Sequence, residues 1–294
     1  MTAKNPFPRQ LTILGVGLLG GSIGLALRAV RPHCRIIGFG HRKPSLQTAV
    51  QIGAIDAFDL DPAAAAAGSD LVILCTPVGI FQPLLRQIAP ALAPGAIVTD
   101  VGSTKRSVVR SAGKLLPKSV NFVASHPIAG SEKRGVEFSR ADLFHNRLCI
   151  LTPDKKTNPS ALKQVEKFWQ LLGMRTERVT PQNHDRLLAD ISHLPHLVAA
   201  ALVAMQPDAA LAICGKGFLD TTRIAGGDGA LWRDIFLDNA DNLKSALRRL
   251  KSQLQATEKM LTSSRASSLR NWLDSAAQRR QKVLEKKLSE INAD

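Results

Sequence analysis

The chain has 294 residues, 45% of them hydrophobic, and a formal net charge of +15. That length accommodates two domains or one large α/β domain, and the composition suits a globular protein with a full core. No apolar run reaches the ~18 residues needed to span a bilayer, and the opening MTAKNPFPRQ lacks a signal peptide's apolar stretch, so a cytoplasmic protein without a membrane partner is expected.

Cys34, Cys75, Cys149 and Cys214 are scattered, with no CxxC pair and no His at zinc spacing. Buried free thiols are therefore expected, with no metal site. The positive balance suits anionic partners. No stacking platform or recognition motif accompanies it, which points to small anionic ligands and away from nucleic acid.

Short apolar runs at 11–14, 35–39, 71–75, 96–100, 121–125, 148–152 and 174–179 alternate with helical segments. Near-continuous apolar strands separated by helices predict a doubly wound, mostly parallel α/β sheet covered on both faces. The first run leads into Gly15-Val16-Gly17-Leu18-Leu19-Gly20 and then a helix over 22–29. This is the strand, G-x-G-x-x-G, helix order of a Rossmann dinucleotide site. Gly15 permits the tight turn, Gly17 lets the backbone approach a pyrophosphate, and Gly20 lets the helix lie on the strand. The free N–H groups around Leu18 and Leu19 at the helix start attract phosphate.

The second strand ends in Gly40-His41-Arg42. An NAD site usually places a carboxylate there; here Gly40 holds the place, and His41 and Arg42 suit a ribose 2′-phosphate. NADP is the expected cofactor, with NAD as the alternative. Ligands of open α/β sheets bind at the carboxyl ends of the strands. Those ends carry Thr76-Pro77, then Asp100-Val101-Gly102-Ser103, then Ser125-His126-Pro127. A histidine so placed is a candidate general base.

Beyond 180 no strand pattern appears, and 183–205 is strongly helical. The domains are set at 1–180, Rossmann-type, and 181–294, all-α. Within the second, Ser192-His193-Leu194-Pro195-His196 places Ser192 and both histidines on one helix face, with a kink expected because Pro195 leaves the Ile191 carbonyl unpaired. Arg223 is a candidate carboxylate clamp, or a partner for Asp220 or Asp228. Leu231, Ile235, Leu243, Leu247, Leu250, Leu254 and Leu261 predict one long amphipathic helix whose stripe packs across a homodimer interface. From Arg265 on, a basic terminal helix docks weakly through Trp272 and Leu273.

Taken in order, the glycine loop, Asp100-Val101-Gly102-Ser103, Ser125-His126-Pro127-Ile128-Ala129-Gly130-Ser131-Glu132, Ser192-His193-Leu194-Pro195-His196 and Gly217-Phe218 through Arg223 resemble the prephenate and arogenate dehydrogenases of tyrosine biosynthesis. The resemblance spans about residues 11–260. It implies that a cyclohexadienyl carboxylate loses a hydride to the nicotinamide and CO₂ from its ring. By motif match, His126 takes the proton of the 4-hydroxyl and Ser103 orients it, Arg223 holds a substrate carboxylate, Ser192, His193 and His196 line the pocket, and Glu132 lies near its entrance. His196 favours prephenate, the NADP-like loop resembles the arogenate-using members, and arogenate or dual use is the alternative. A β-hydroxyacid dehydrogenase would share the layout but relies on a helical lysine, and no lysine is near Ser192–His196 in sequence. A non-catalytic dinucleotide sensor is the remaining alternative.

Overall fold

The computed structural model describes residues 7–130 and 133–292. Glu132 and Ser131, singled out above, lie outside the described residues. The elements run β1 (Gln10–Leu14), α1 (Leu18–Val30), β2 (Arg35–Phe39), α2 (Lys43–Gln51), β3 (Ala57–Asp59), α3 (Pro62–Ala66), β4 (Leu71–Leu74), α4 (Phe81–Ile88), β5 (Ile97–Asp100), α5 (Arg106–Leu115), β6 (Asn121–Val123), β7 (Ser125–Pro127), β8 (Leu148–Leu151), α6 (Pro159–Leu171) and β9 (Arg175–Arg178). Helices follow: α7 (Pro181–Leu188), a π turn (Ala189–His193), α8 (Leu194–Ala204), α9 (Asp208–Ala212), α10 (Lys216–Thr222), α11 (Gly229–Asp238), α12 (Ala240–Glu258) and α13 (Ala266–Asn292). The chain separates into two compact units, Met1–Ala240 and Asp241–Asp294.

The six-stranded sheet is ordered β3-β2-β1-β4-β5-β6 and every pairing in it is parallel. This is the Rossmann order, which reverses direction between β1 and β4 and opens a crevice there. Both faces are buried. Leu11, Ile13, Leu71, Ile73 and Ile97 share one apolar layer with α1, α2 and α6. Leu14, Val72, Leu74 and Val98 share the other with α4 and α5. Period-two alternation between two apolar layers is what makes the strand sequences almost continuously hydrophobic.

Two strand expectations need correction. β3 was not anticipated: Ala57–Asp59 is a three-residue edge strand, and short edges leave little pattern. The run at 121–125 is not one strand of one sheet. It divides after Val123, and β7 instead pairs antiparallel with β8, which pairs parallel with β9. The cause is local. The Ser125 N–H donates to the Asp100 side chain at 3.1 Å, and the Ser125 hydroxyl donates to the Asp100 carbonyl at 2.6 Å. With its backbone donor taken by a side chain, the chain leaves the ladder of β5 and carries His126 into the second sheet.

The stripe from Leu231 is likewise two helices, α11 and α12, and Leu261 lies past the end of the second. Asn239 breaks them apart because its side chain has work elsewhere: it donates to the Asp185 carbonyl at 2.7 Å and bonds the His193 Nδ1 at 3.1 Å. Leu273, expected to anchor the terminal helix, is exposed. Against the expectation of no membrane-length run, the continuous helical segment Pro181–Ala204 is long and apolar enough by composition to cross a bilayer, with 28% of its apolar window buried.

Candidate active site

The crevice forms where β1 and β4 end. Gly15 has φ of +105°, and a Cβ there would strike the Thr76 main chain at 2.9 Å, so only glycine lets the loop turn against β4. A Cβ on Gly20 would fall on the Gly15 carbonyl, which is why α1 lies so close to the strand. At Gly17 a Cβ would meet nothing within 4 Å. The loop therefore faces open space at the point where a pyrophosphate approaches. No side chain caps α1, leaving its first N–H groups for an anion, with half-buried Leu18 and Leu19 beneath. Thr76 is half-buried and Pro77 exposed. The residues fit a dinucleotide.

At the end of β2, His41 and Arg42 are both exposed, and α2 begins at Lys43 with no side-chain cap. A Cβ on Gly40 would make only ordinary contact with Leu46, the nearest atom being 3.4 Å away.

His126 is 9% exposed on β7. Its Nδ1 lies 2.9 Å from Nε2 of His184 on α7, and Nδ1 of His184 lies 2.8 Å from Oδ1 of Asp185. The Asp185 carboxylate also accepts the Lys105 N–H at 2.8 Å and the Arg106 N–H at 2.9 Å. It thereby caps α5 from another helix. Burial holds the His126 imidazole well below its ordinary pKa, and the nearby His184, Lys105 and His193 push the same way. Burial likewise lowers His184, partly offset by Asp185. Burial alone would raise the Asp185 carboxyl, but His184 and the N–H groups of Arg106 and Lys105 bring it below the usual range. Both histidines are thus neutral and Asp185 is charged at neutral pH.

Ser103 is half-buried on the loop after β5, and among the described hydrogen bonds none joins it to His126. The histidine's ring partner is His184, which the sequence reading missed. It also missed Lys105, which is fully buried and ion-paired with Asp100. Lys105 lies beside His126 and His184, but its charge is already committed to Asp100.

His193 and His196 are buried and Ser192 half-buried. The π turn ahead of α8 shifts the helical register by one residue at the position where Pro195 supplies no N–H, so the expected kink takes the form of a π turn. Burial pushes His193 down to about 4. The ring of His196 stacks on Trp232 of α11, centroids 3.6 Å apart at 18°. Arg223 opens a 3₁₀ turn after α10 and is exposed. Asp220 pairs with Lys216 at 2.7 Å, and Asp228 caps α11 while pairing with Arg134.

Several buried polar atoms have no protein partner: Thr76 Oγ1, Thr104 Oγ1, His193 Nε2 and His196 Nδ1. Leaving such a group unpaired costs about 1–3 kcal/mol each. These four lie on the crevice loops and the histidine-bearing helix, where a polar ligand or water can satisfy them.

A Rossmann crevice with an uncapped phosphate-binding helix, and a buried neutral histidine on a neighbouring strand, define a nicotinamide-dinucleotide-dependent oxidoreductase. The chain belongs to the prephenate dehydrogenase family. Residues 23–178 match the model of the prephenate dehydrogenase nucleotide-binding domain, and residues 180–275 that of the prephenate dehydrogenase dimerization domain. The prephenate dehydrogenase of Bacillus subtilis is 35% identical over 246 residues, 81% of this chain and 66% of that protein. The cyclohexadienyl dehydrogenase of Zymomonas mobilis is 32% identical over 81% of this chain and 84% of its own length. A crystal structure of A. aeolicus prephenate dehydrogenase with hydroxyphenyl propionate and NAD⁺ superposes with a TM-score of 0.89 at 34% identity, covering 95% of this chain and all of that one.

Proposed function

We propose that this chain catalyses the oxidative decarboxylation of prephenate to 4-hydroxyphenylpyruvate, within tyrosine biosynthesis. The observation that carries this is His126: neutral, buried, bonded through Nδ1 and with no described protein bond at Nε2. The oxidised nicotinamide, when bound in the crevice, supplies the hydride acceptor. His126 Nε2 accepts the proton of the substrate's 4-hydroxyl, so the oxygen becomes a carbonyl as the C4 hydride leaves. Loss of the ring carboxylate as CO₂ returns its electron pair to the ring. The proton held on His126 then goes back to the same oxygen of the aromatic product. Arg223 holds a substrate carboxylate, and Ser192, His193 and His196 bound the pocket. Ser103, on the β5 loop, contributes to the cofactor site.

NADP⁺ is the cofactor favoured by Gly40, His41 and Arg42, because an exposed guanidinium beside an uncapped helix start suits a 2′-phosphate. A second reading, NAD⁺, is favoured by the A. aeolicus complex. Prephenate is preferred over arogenate because His196 Nδ1 is buried without a partner and suits a keto-acid side chain; the cyclohexadienyl relative keeps arogenate as the alternative.

The chain works as a homodimer. Ile191, Met205, Ile213, Leu219 and Leu237 are 56–86% exposed, and apolar groups of that size seek a partner surface. They fall within the stretch matched by the dimerization model.

The test is His126→Asn. It lowers kcat by about 10²–10⁴-fold, the usual worth of general acid–base catalysis, while the affinity for dinucleotide is kept. An unchanged kcat would remove His126 from this role.

A further inference from the structure

We propose that His184 and Asp185 form a relay that fixes the tautomer of His126, leaving its Nε2 as the bare, proton-accepting nitrogen. The assignment follows from counting protons along the chain of bonds. Asp185 is ionised and already accepts two main-chain N–H groups, from Lys105 and Arg106. A carboxylate only accepts. The 2.8 Å contact with His184 Nδ1 therefore requires a proton on that nitrogen. A neutral imidazole carries one N–H, so His184 Nε2 is a lone pair. The 2.9 Å contact between that lone pair and His126 Nδ1 then requires the proton on His126 Nδ1. Neutral His126 is left with an unprotonated Nε2.

The remaining groups around the pair do not upset this order. Lys105 faces both histidines, but its ammonium is paired with Asp100. His193 is held in place by Asn239 through Nδ1. The relay has a second effect. When His126 holds the substrate proton it becomes a buried cation, which burial alone opposes. The Asp185 charge, passed through His184, is the compensating anion on that side. His184 and Asp185 are positioning residues, since neither needs to touch substrate. The segment that carries them, at the start of α7, is docked on the β5–α5 loop by Asp185 itself, so the tautomer is set only when the helical part is seated on the Rossmann sheet.

The kinetic consequence rests on the dehydrogenase reading above; the tautomer does not. The experiment is therefore in two arms. Long-range ¹H–¹⁵N imidazole spectra of the full-length, ¹⁵N-labelled chain, with the His126→Asn spectrum to assign the ring, should show His126 protonated at Nδ1 and bare at Nε2. His184→Phe should convert that signature to a mixture and lower kcat by about 10–100-fold, part of the 10²–10⁴ available to the base, with the dinucleotide KM unchanged. His184→Gln, whose amide oxygen can accept from His126 Nδ1–H, should restore most of the rate. The relay is overturned by a wild-type His126 protonated at Nε2, or by equal losses in the Phe and Gln variants. A chain that shows the Nδ1–H signature but turns over no cyclohexadienyl substrate overturns the proposed function and leaves the relay standing.

Discussion

Lys105 and Asp100 share the fully buried end of β5, and the Asp100 carboxylate also accepts N–H groups from Gly102 at 2.9 Å and Ser125 at 3.1 Å. One carboxylate thus sets the loop that bears Ser103 and the residue that precedes His126. Removing either charge leaves the other buried alone. Lys105→Met should destabilise the protein by about 3–5 kcal/mol, read as a fall in the urea midpoint; a change under about 1 kcal/mol, typical of surface pairs, would contradict this account. At the cofactor end, Arg42→Ala should lower kcat/KM for NADP⁺ about 10–100-fold, the worth of a charge-assisted bond, and leave NAD⁺ unaffected. Gly40→Asp has room for its Cβ and should shift preference toward NAD⁺. An NAD⁺ preference in the unaltered chain would sink the assignment of Arg42.

Single residues also show what the sequence could reveal. Gly15, Gly17 and Gly20 were legible because each answers a backbone constraint a few residues away. His126 was legible as a strand-end histidine with a motif around it. His184 was not: Pro181-Gln-Asn-His-Asp-Arg carries no spacing signal, and its role arises only from contact with a residue 58 positions earlier. Lys105 was overlooked for the same reason, since a lysine in a loop reads as solvated until its burial is known.

Among elements, the π turn and α8 carry the buried histidines of the helical part. The turn brings buried His193 and His196 onto one wall, and neither ring has its full complement of bonds. Their burial has a consequence for stability. His193 titrates near 6.5 when unfolded and at about 4 when folded. Between those values the unfolded chain binds the extra proton, so stability falls as pH drops from about 6.5 through about 4. The His193 share is about 3 kcal/mol, and His126 and His184 act in the same direction. Denaturation midpoints measured across that window should fall toward acid, and less steeply in His193→Asn. A flat profile would mean that these rings are not held neutral. The helical pattern of this region was clear from its composition, but its interruptions were not. Asn239 ends α11 through bonds to Asp185 and His193, and no local propensity announces a tertiary capping partner. The split of 121–125 between two sheets has the same origin, in the side chain of Asp100.

At the scale of the molecule, the parallel sheet was predictable because strands buried on both faces must be apolar throughout. The order β3-β2-β1-β4-β5-β6 then places the glycine loop and Thr76 side by side with no further information. In the proposed homodimer the interface is formed by the exposed apolar residues of the helical part. Light scattering at micromolar concentration should give twice the chain mass, and Ile213→Asp, altering a side chain 86% exposed, should shift the population toward monomer. A stable monomer in the unaltered chain would contradict the dimer.

The most direct test of the central claim is a stoichiometric steady-state assay of the purified chain with prephenate and NADP⁺. One reduced cofactor and one CO₂ should form for each 4-hydroxyphenylpyruvate, at a rate that collapses in His126→Asn. The contrary result is no cofactor reduction from prephenate or arogenate with either dinucleotide, or turnover that His126→Asn leaves intact.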